Sequence, residues 1–145
     1  MKSYTDIEQS KKLVGLGLNP TTADMYYEYV DWKDVWVPGL YSEFVDRKVD
    51  KELKEEFFNL KRYEPCWSVG RLMGLMCEGK DYDISTSFGG WEGENLIEEW
   101  FCTYETESGD IEKWEYHSTH DKTLIGACYK MIIWLIKNKK LTPTS

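Results

Sequence analysis

The last third of the chain fixes the fold class before any other segment does. Leu124, Ala127, Cys128, Met131, Ile132, Leu135 and Ile136 recur at the i, i+3, i+4, i+7, i+8, i+11, i+12 spacing of a single helical face. Asp121 stands where a cap belongs, Lys137, Lys139 and Lys140 gather where cations complement the helix dipole, and Pro143 follows. So broad an apolar stripe needs a surface to cover, and the residues ahead of it supply one. Tyr82, Ile84, Thr86 and Phe88 alternate with Asp83, Ser85 and Ser87; Trp100, Cys102 and Tyr104 alternate with Phe101 and Thr103. Ser108-Gly109-Asp110 then turns the chain into a third run, Ile111 to His117. A period of two followed by a period of 3.6 predicts an antiparallel meander with a helix laid on it.

Upstream the signals are helical. Thr5-Asp6-Ile7-Glu8 has the form of a capping box, with Thr5 as the cap, and Gly15 and Gly17 end the segment it opens. Met25 to Val30 suits a short strand, and Pro38-Gly39 a turn. Val45, Val49, Leu53 and Phe57 form an i+4 row in a predicted surface helix from Ser42 to Leu60. Glu64-Pro65-Cys66-Trp67 opens another, with Pro65 in the first turn and Gly79 at the end. Within it Cys66, Gly70, Gly74 and Cys77 line up as small side chains that would admit a close neighbour. At 145 residues the chain has room for one core, so the expectation is a single α+β domain over residues 1–145. A small antiparallel sheet of three or four strands, a meander, would be covered on one face by about four helices.

Charge narrows the partners. Asp81 to Glu115 holds eleven acids against Lys113 alone, a net of −10 that leaves the rest of the chain at +2 within a total of −8. A surface of that sign repels nucleic acid and anionic lipid, so neither is an expected partner; a basic protein is. The N-terminal residues lack the apolar run of a secretory signal, and the longest apolar stretch, Met131 to Ile136, is far short of a membrane span. The expected location is the cytoplasm. There Cys66, Cys77, Cys102 and Cys128, spaced without any CxxC pair, read as free thiols.

Chemistry-bearing residues are sparse. His117 and His120 sit beside Asp121, but an odd offset on a strand sends the two rings to opposite faces, and no metal site is expected. Cys66 at a helix N-terminus would favour a thiolate, yet nucleophilic catalysis needs a histidine beside it. Gly89-Gly90-Trp91-Glu92-Gly93 is glycine-rich without the order of a phosphate loop, and Glu92 and Glu94 would repel phosphate. What stands out is binding chemistry. Trp32 and Trp36 lie in an aromatic and acidic stretch that starts at Tyr26, Trp91 tips a loop, and Glu98, Glu99, Glu105 and Glu107 crowd the acidic meander. These seven are the candidate binding residues for a non-enzymatic protein acting through an acidic sheet surface and exposed aromatics. No catalytic residue and no cofactor is assigned. The alternative is a small-ligand-binding domain or small enzyme using Cys66, a histidine and the Gly89–Asn95 loop.

Four blocks also carry a resemblance. Tyr4-Thr5-Asp6-Ile7-Glu8-Gln9-Ser10-Lys11-Lys12-Leu13, then Ala23-Asp24-Met25, then Pro65-Cys66-Trp67-Ser68 ahead of Leu72, and finally Ala127 to Leu135 follow one another in the chain. In that order they resemble a family of small proteins common in gut anaerobes and frequent on phage-like or mobile elements. The resemblance implies a bacterial, accessory, cytosolic protein. It brings no catalytic residue onto this sequence.

Overall fold

The computed structural model describes residues 2–40, 63–77, 80–106 and 114–142. The chain is α+β and falls into two compact units, one built on Tyr4–Arg71 and one on Leu72–Leu141. Each contains a three-stranded antiparallel sheet. The expectation of one sheet under about four helices is therefore corrected: among the described residues there are two sheets and three α-helices. The predicted helix from Ser42 to Leu60 lies outside the described residues.

In the first unit α1 (Ile7–Gly15) precedes β1 (Met25–Val30), β2 (Val35–Leu40) and β3 (Tyr63–Cys66), in spatial order β2-β1-β3. The cap of α1 is Asp6 rather than Thr5: Asp6 accepts from the Gln9 amide at 2.7 Å, and the Gln9 side chain accepts from the Asp6 amide at 3.0 Å. Thr5 is instead buried. The Tyr26–Trp36 stretch, which has no clean period, is a hairpin. Its strands meet through Val30 and Val35, and Asp34 takes a left-handed φ of 51° in the turn. Pro38 and Gly39 continue β2 instead of turning the chain, because β2 is an edge strand where a missing amide is tolerated. Gly39 has a separate role: a Cβ there would meet the Tyr26 ring at 2.7 Å.

The same edge argument corrects the helix predicted from Pro65. Tyr63–Cys66 is the other edge strand, and α2 begins only at Val69 and runs to Cys77. Cys66 thus ends a strand, and the small-residue stripe is broken. Among the described residues Gly74 has nothing within 4 Å of where a Cβ would stand, so no close approach uses it. Leu72 and Met76 are the residues of α2 that are buried.

The second unit keeps the predicted plan of helix on meander. Here β4 (Tyr82–Glu92), β5 (Asn95–Thr106) and β6 (Tyr116–Asp121) lie in that order, and α3 (Leu124–Lys137) packs on β5 and β6. The third strand sits later than the predicted Ile111 to His117 run, of which residues 111–113 lie outside the described residues. The expected loop from Gly89 to Asn95 is mostly strand: a bulge at Gly89, with φ of +83°, lets β4 continue to Glu92, and only Gly93-Glu94 turns the chain. Gly93, with φ of +62°, takes the first turn position that a left-handed residue must fill in a type II′ hairpin. Thr123 caps α3 by accepting from the Gly126 amide at 3.0 Å, and Asp121 supports the cap by accepting from the Thr123 amide and hydroxyl. Met131, Ile132 and Leu135 are fully buried, each contributing roughly 1.5–3 kcal/mol.

Candidate functional site

Strand alternation divides the second sheet into two chemically different faces. Tyr82, Cys102, Tyr104, His117 and Thr119 belong to the face that carries α3. Trp134 of α3 packs at 5.0 Å on Tyr104 and stacks flat on His117, with centroids 4.1 Å apart and planes within 5°. The Thr119 hydroxyl donates to the Ala127 carbonyl at 2.9 Å. Cys102 and Cys128 are both fully buried. The Cys102 thiol donates to Cys128, so that hydrogen bond and burial push Cys102 up while Cys128 moves down. Cys128 also lies 3.9 Å from the Met73 sulfur. Burial holds His117 below the usual imidazole value, so it is neutral near pH 7.

The other face is acidic and aromatic. Asp83, Ser85, Ser87, Glu92 and Glu105 are exposed on it, with Glu99, Thr103 and Ser118 half-buried between them. Trp114 leads into β6 beside exposed Tyr116, their rings 5.7 Å apart and tilted by 30°, and the Trp114 indole donates to Glu105 at 3.1 Å. Phe101 points to this side yet is only 7% exposed, because the His120 ring lies over it at 5.1 Å. Gly90 lets Phe101 sit there: a Cβ at position 90 would stand 2.9 Å from the ring. His120 Nδ1 is 3.0 Å from Glu99 and Nε2 is 3.0 Å from Glu92. The hydrogen bond to Glu99 first, and then that to Glu92, hold His120 above the usual imidazole value.

The two histidines thus point to opposite faces, as their spacing dictates. Among the described residues no group of three or more His, Cys, Asp and Glu side chains converges as a metal would require. At His120 the reason is visible, since its two carboxylates approach opposite nitrogens and share no centre.

The candidate binding residues separate in the structure. Glu99 and Glu105 share the acidic face; Glu98, one residue out of phase, projects to the other side. Glu107 lies outside the described residues. Trp91 is 69% exposed near the hairpin tip, paired with exposed Leu96 and close in sequence to exposed Phe88. In the first unit Trp32 is 81% exposed at the β1–β2 turn under the Lys33 ammonium, 4.5 Å from the ring centre. Trp36 is half-buried on the Met25, Tyr27 and Cys66 core and packs on Tyr29 at 5.3 Å. Cys66 is fully buried, and its thiol donates to the Thr5 carbonyl at 3.4 Å. Sequence reasoning passed over Trp114 and Tyr116; the signal available was their i, i+2 spacing beside Glu112 and Glu115 in an acidic strand.

No family model, curated protein or solved structure matches this chain. Among the described residues no helix is long and apolar enough to cross a membrane.

Proposed function

We propose that the protein is a binding module that docks a basic protein partner on the acidic, aromatic face of its second sheet. The observation that carries this reading is the juxtaposition of Glu105, Trp114 and Tyr116 on a face where Asp83, Glu92 and Glu99 add further carboxylates. An arginine or lysine side chain meets both of its preferences there, a carboxylate for its charge and an aromatic face for cation–π contact. Among the described residues of this unit, Lys130 pairs with Asp121 and Lys140 with Glu115. The chain then acts as a non-enzymatic accessory protein in a bacterial cytoplasm, in keeping with the family it resembles.

The test is binding of a hexa-arginine peptide to the full chain, followed by titration calorimetry at low and moderate salt. Glu105→Gln and Trp114→Ala are each expected to weaken binding several-fold while leaving the unfolding midpoint unchanged, both side chains being exposed. Glu98→Gln, on the opposite face, is expected to matter less. Equal weakening by all three, or affinity insensitive to salt, would sink the reading.

A further inference from the structure

We propose that Glu92, His120 and Glu99 form a proton-dependent latch that ties the tip of the β4–β5 hairpin to β6 and lets go of Glu92 when His120 loses a proton. The three side chains come from three neighbouring strands, and each ring nitrogen faces one carboxylate at 3.0 Å. A carboxylate only accepts hydrogen bonds, so both contacts require the ring to donate from both nitrogens, which only the imidazolium does. The neutral ring has one N–H and one lone pair, and the lone pair would face a carboxylate.

The side that opens is set by enclosure. Glu99 is 29% exposed and stands on the central strand, whereas Glu92 is 67% exposed, lies beyond the Gly89 bulge and adjoins the Gly93-Glu94 turn. The Glu92 side chain can swing into water at small cost; the Glu99 side chain cannot. His120 itself stays in place. Its ring rests on Phe101, and from α3 the Lys130 ammonium donates to the His120 carbonyl at 2.8 Å while pairing with Asp121 at 3.2 Å. Among the described residues, the ionisable groups that meet His120 are thus Glu92 from β4, Glu99 from β5 and, through the backbone, Lys130 from α3. Losing the proton removes one positive charge from this face and frees the tip that presents Trp91. Resting on the docking reading above, the latch makes a basic partner bind more tightly above the His120 midpoint, and by linkage the partner pulls that midpoint down.

The experiment is an NMR pH titration of the full chain from pH 5 to 9, following the His120 ring and the Trp91 indole and amide. His120 is expected to titrate above 6.5, and the Trp91 signals to move with the same midpoint. Glu99→Gln and Glu92→Gln should each lower the His120 midpoint, the first more, and Glu92→Gln should abolish the Trp91 step. A His120 midpoint at or below 6.5, or Trp91 signals that do not follow it, overturns the latch. Hexa-arginine affinity measured on either side of the midpoint judges the docking link separately: absence of peptide binding counts against the docking reading and leaves the latch to the titration.

Discussion

Thr5 shows how much a single interior hydroxyl can organise. It is fully buried, and its Oγ1 lies 2.8 Å from the Ser10 hydroxyl and accepts from the Trp67 amide at 3.1 Å. Its carbonyl accepts from the Tyr27 hydroxyl at 2.7 Å and from the Cys66 thiol, while its amide donates to the Trp67 carbonyl at 2.9 Å. One residue therefore joins the start of α1 to β1 and to the end of β3. Thr5→Val keeps the shape and removes the hydroxyl, leaving a buried amide and a buried Ser10 hydroxyl short of a partner. The expected loss is about 2–4 kcal/mol at one to two orphaned groups, read by urea unfolding. Thr5→Ser, which keeps the oxygen, should lose well under half of that; equal losses would show that packing of the methyl, not the hydroxyl, is what matters. The sequence pattern pointed to Thr5 as a helix cap because Thr-x-x-Glu fits a capping box, but Asp6-x-x-Gln fits one residue later. Only burial distinguishes the two, and burial of Thr5 depends on Trp67, sixty-two residues away.

At the scale of elements, α3 is held at both ends by devices that a substitution can probe. Its first turn closes over Asp121, and a Cβ on Gly126 would stand 2.0 Å from the Asp121 carboxylate and 2.8 Å from the Thr123 hydroxyl. Gly126→Ala, normally favourable inside a helix, should here cost about 1–3 kcal/mol by expelling the carboxylate from the cap. At the other end Lys139 takes a left-handed φ of 59° just past Asn138. Lys139→Gly relieves about 1–2 kcal/mol of backbone strain against about 0.5–1 kcal/mol of added chain entropy, a net gain of about 0.5 kcal/mol. Thermal unfolding of both variants checks the pair: Gly126→Ala lowers the midpoint and Lys139→Gly does not. These two glycine questions were hidden in a helix whose existence was plain. An apolar stripe from Leu124 to Ile136 admits one reading, and so does the alternation around Phe88 and Cys102. Pro65 admitted two, since proline is tolerated at a helix start and on a sheet edge alike, and only the pairing of Tyr26 with Pro65 decides for the strand. The bulge at Gly89 was unreadable for a related reason: a glycine pair marks a loop or an irregular strand equally well. The acidic face was legible as charge, whereas its aromatic half, Trp114 with Tyr116, depended on a strand register that the sequence places several residues early.

For the whole molecule, the two histidines set the pH dependence of stability near neutrality, and they do so with opposite sign. His120 is held above 6.5 by the Glu99 hydrogen bond and then by Glu92. Its stabilisation is complete below pH 6.5 and is lost as pH rises through the folded-state value. His117 is held below 6.5 by burial against Trp134. Its neutral form is kept without cost above pH 6.5, and stability falls as the pH drops from there through its folded-state value. Stability should therefore peak near pH 6.5. Glu115, Asp121 and Tyr82 act outside this window. Lys140 and Tyr104 hold Glu115 low; for Asp121, burial alone would raise the carboxyl, but hydrogen bonds from Thr123 and Lys130 outweigh it, so both carboxylates release their contribution only in acid, below 4.5 and 3.8. Burial pushes Tyr82 up to about 12, far on the alkaline side. Urea unfolding at intervals from pH 5 to 8 should trace the peak. His120→Gln is expected to flatten its alkaline limb and His117→Phe its acid limb, each leaving the other limb intact. The two rings stand on opposite faces of one strand, so the limbs should be separable even though the residues are three apart. If either single variant flattened both limbs, the rings would have to be coupled through the sheet, and assigning one face to α3 and the other to the acidic surface would fail with it.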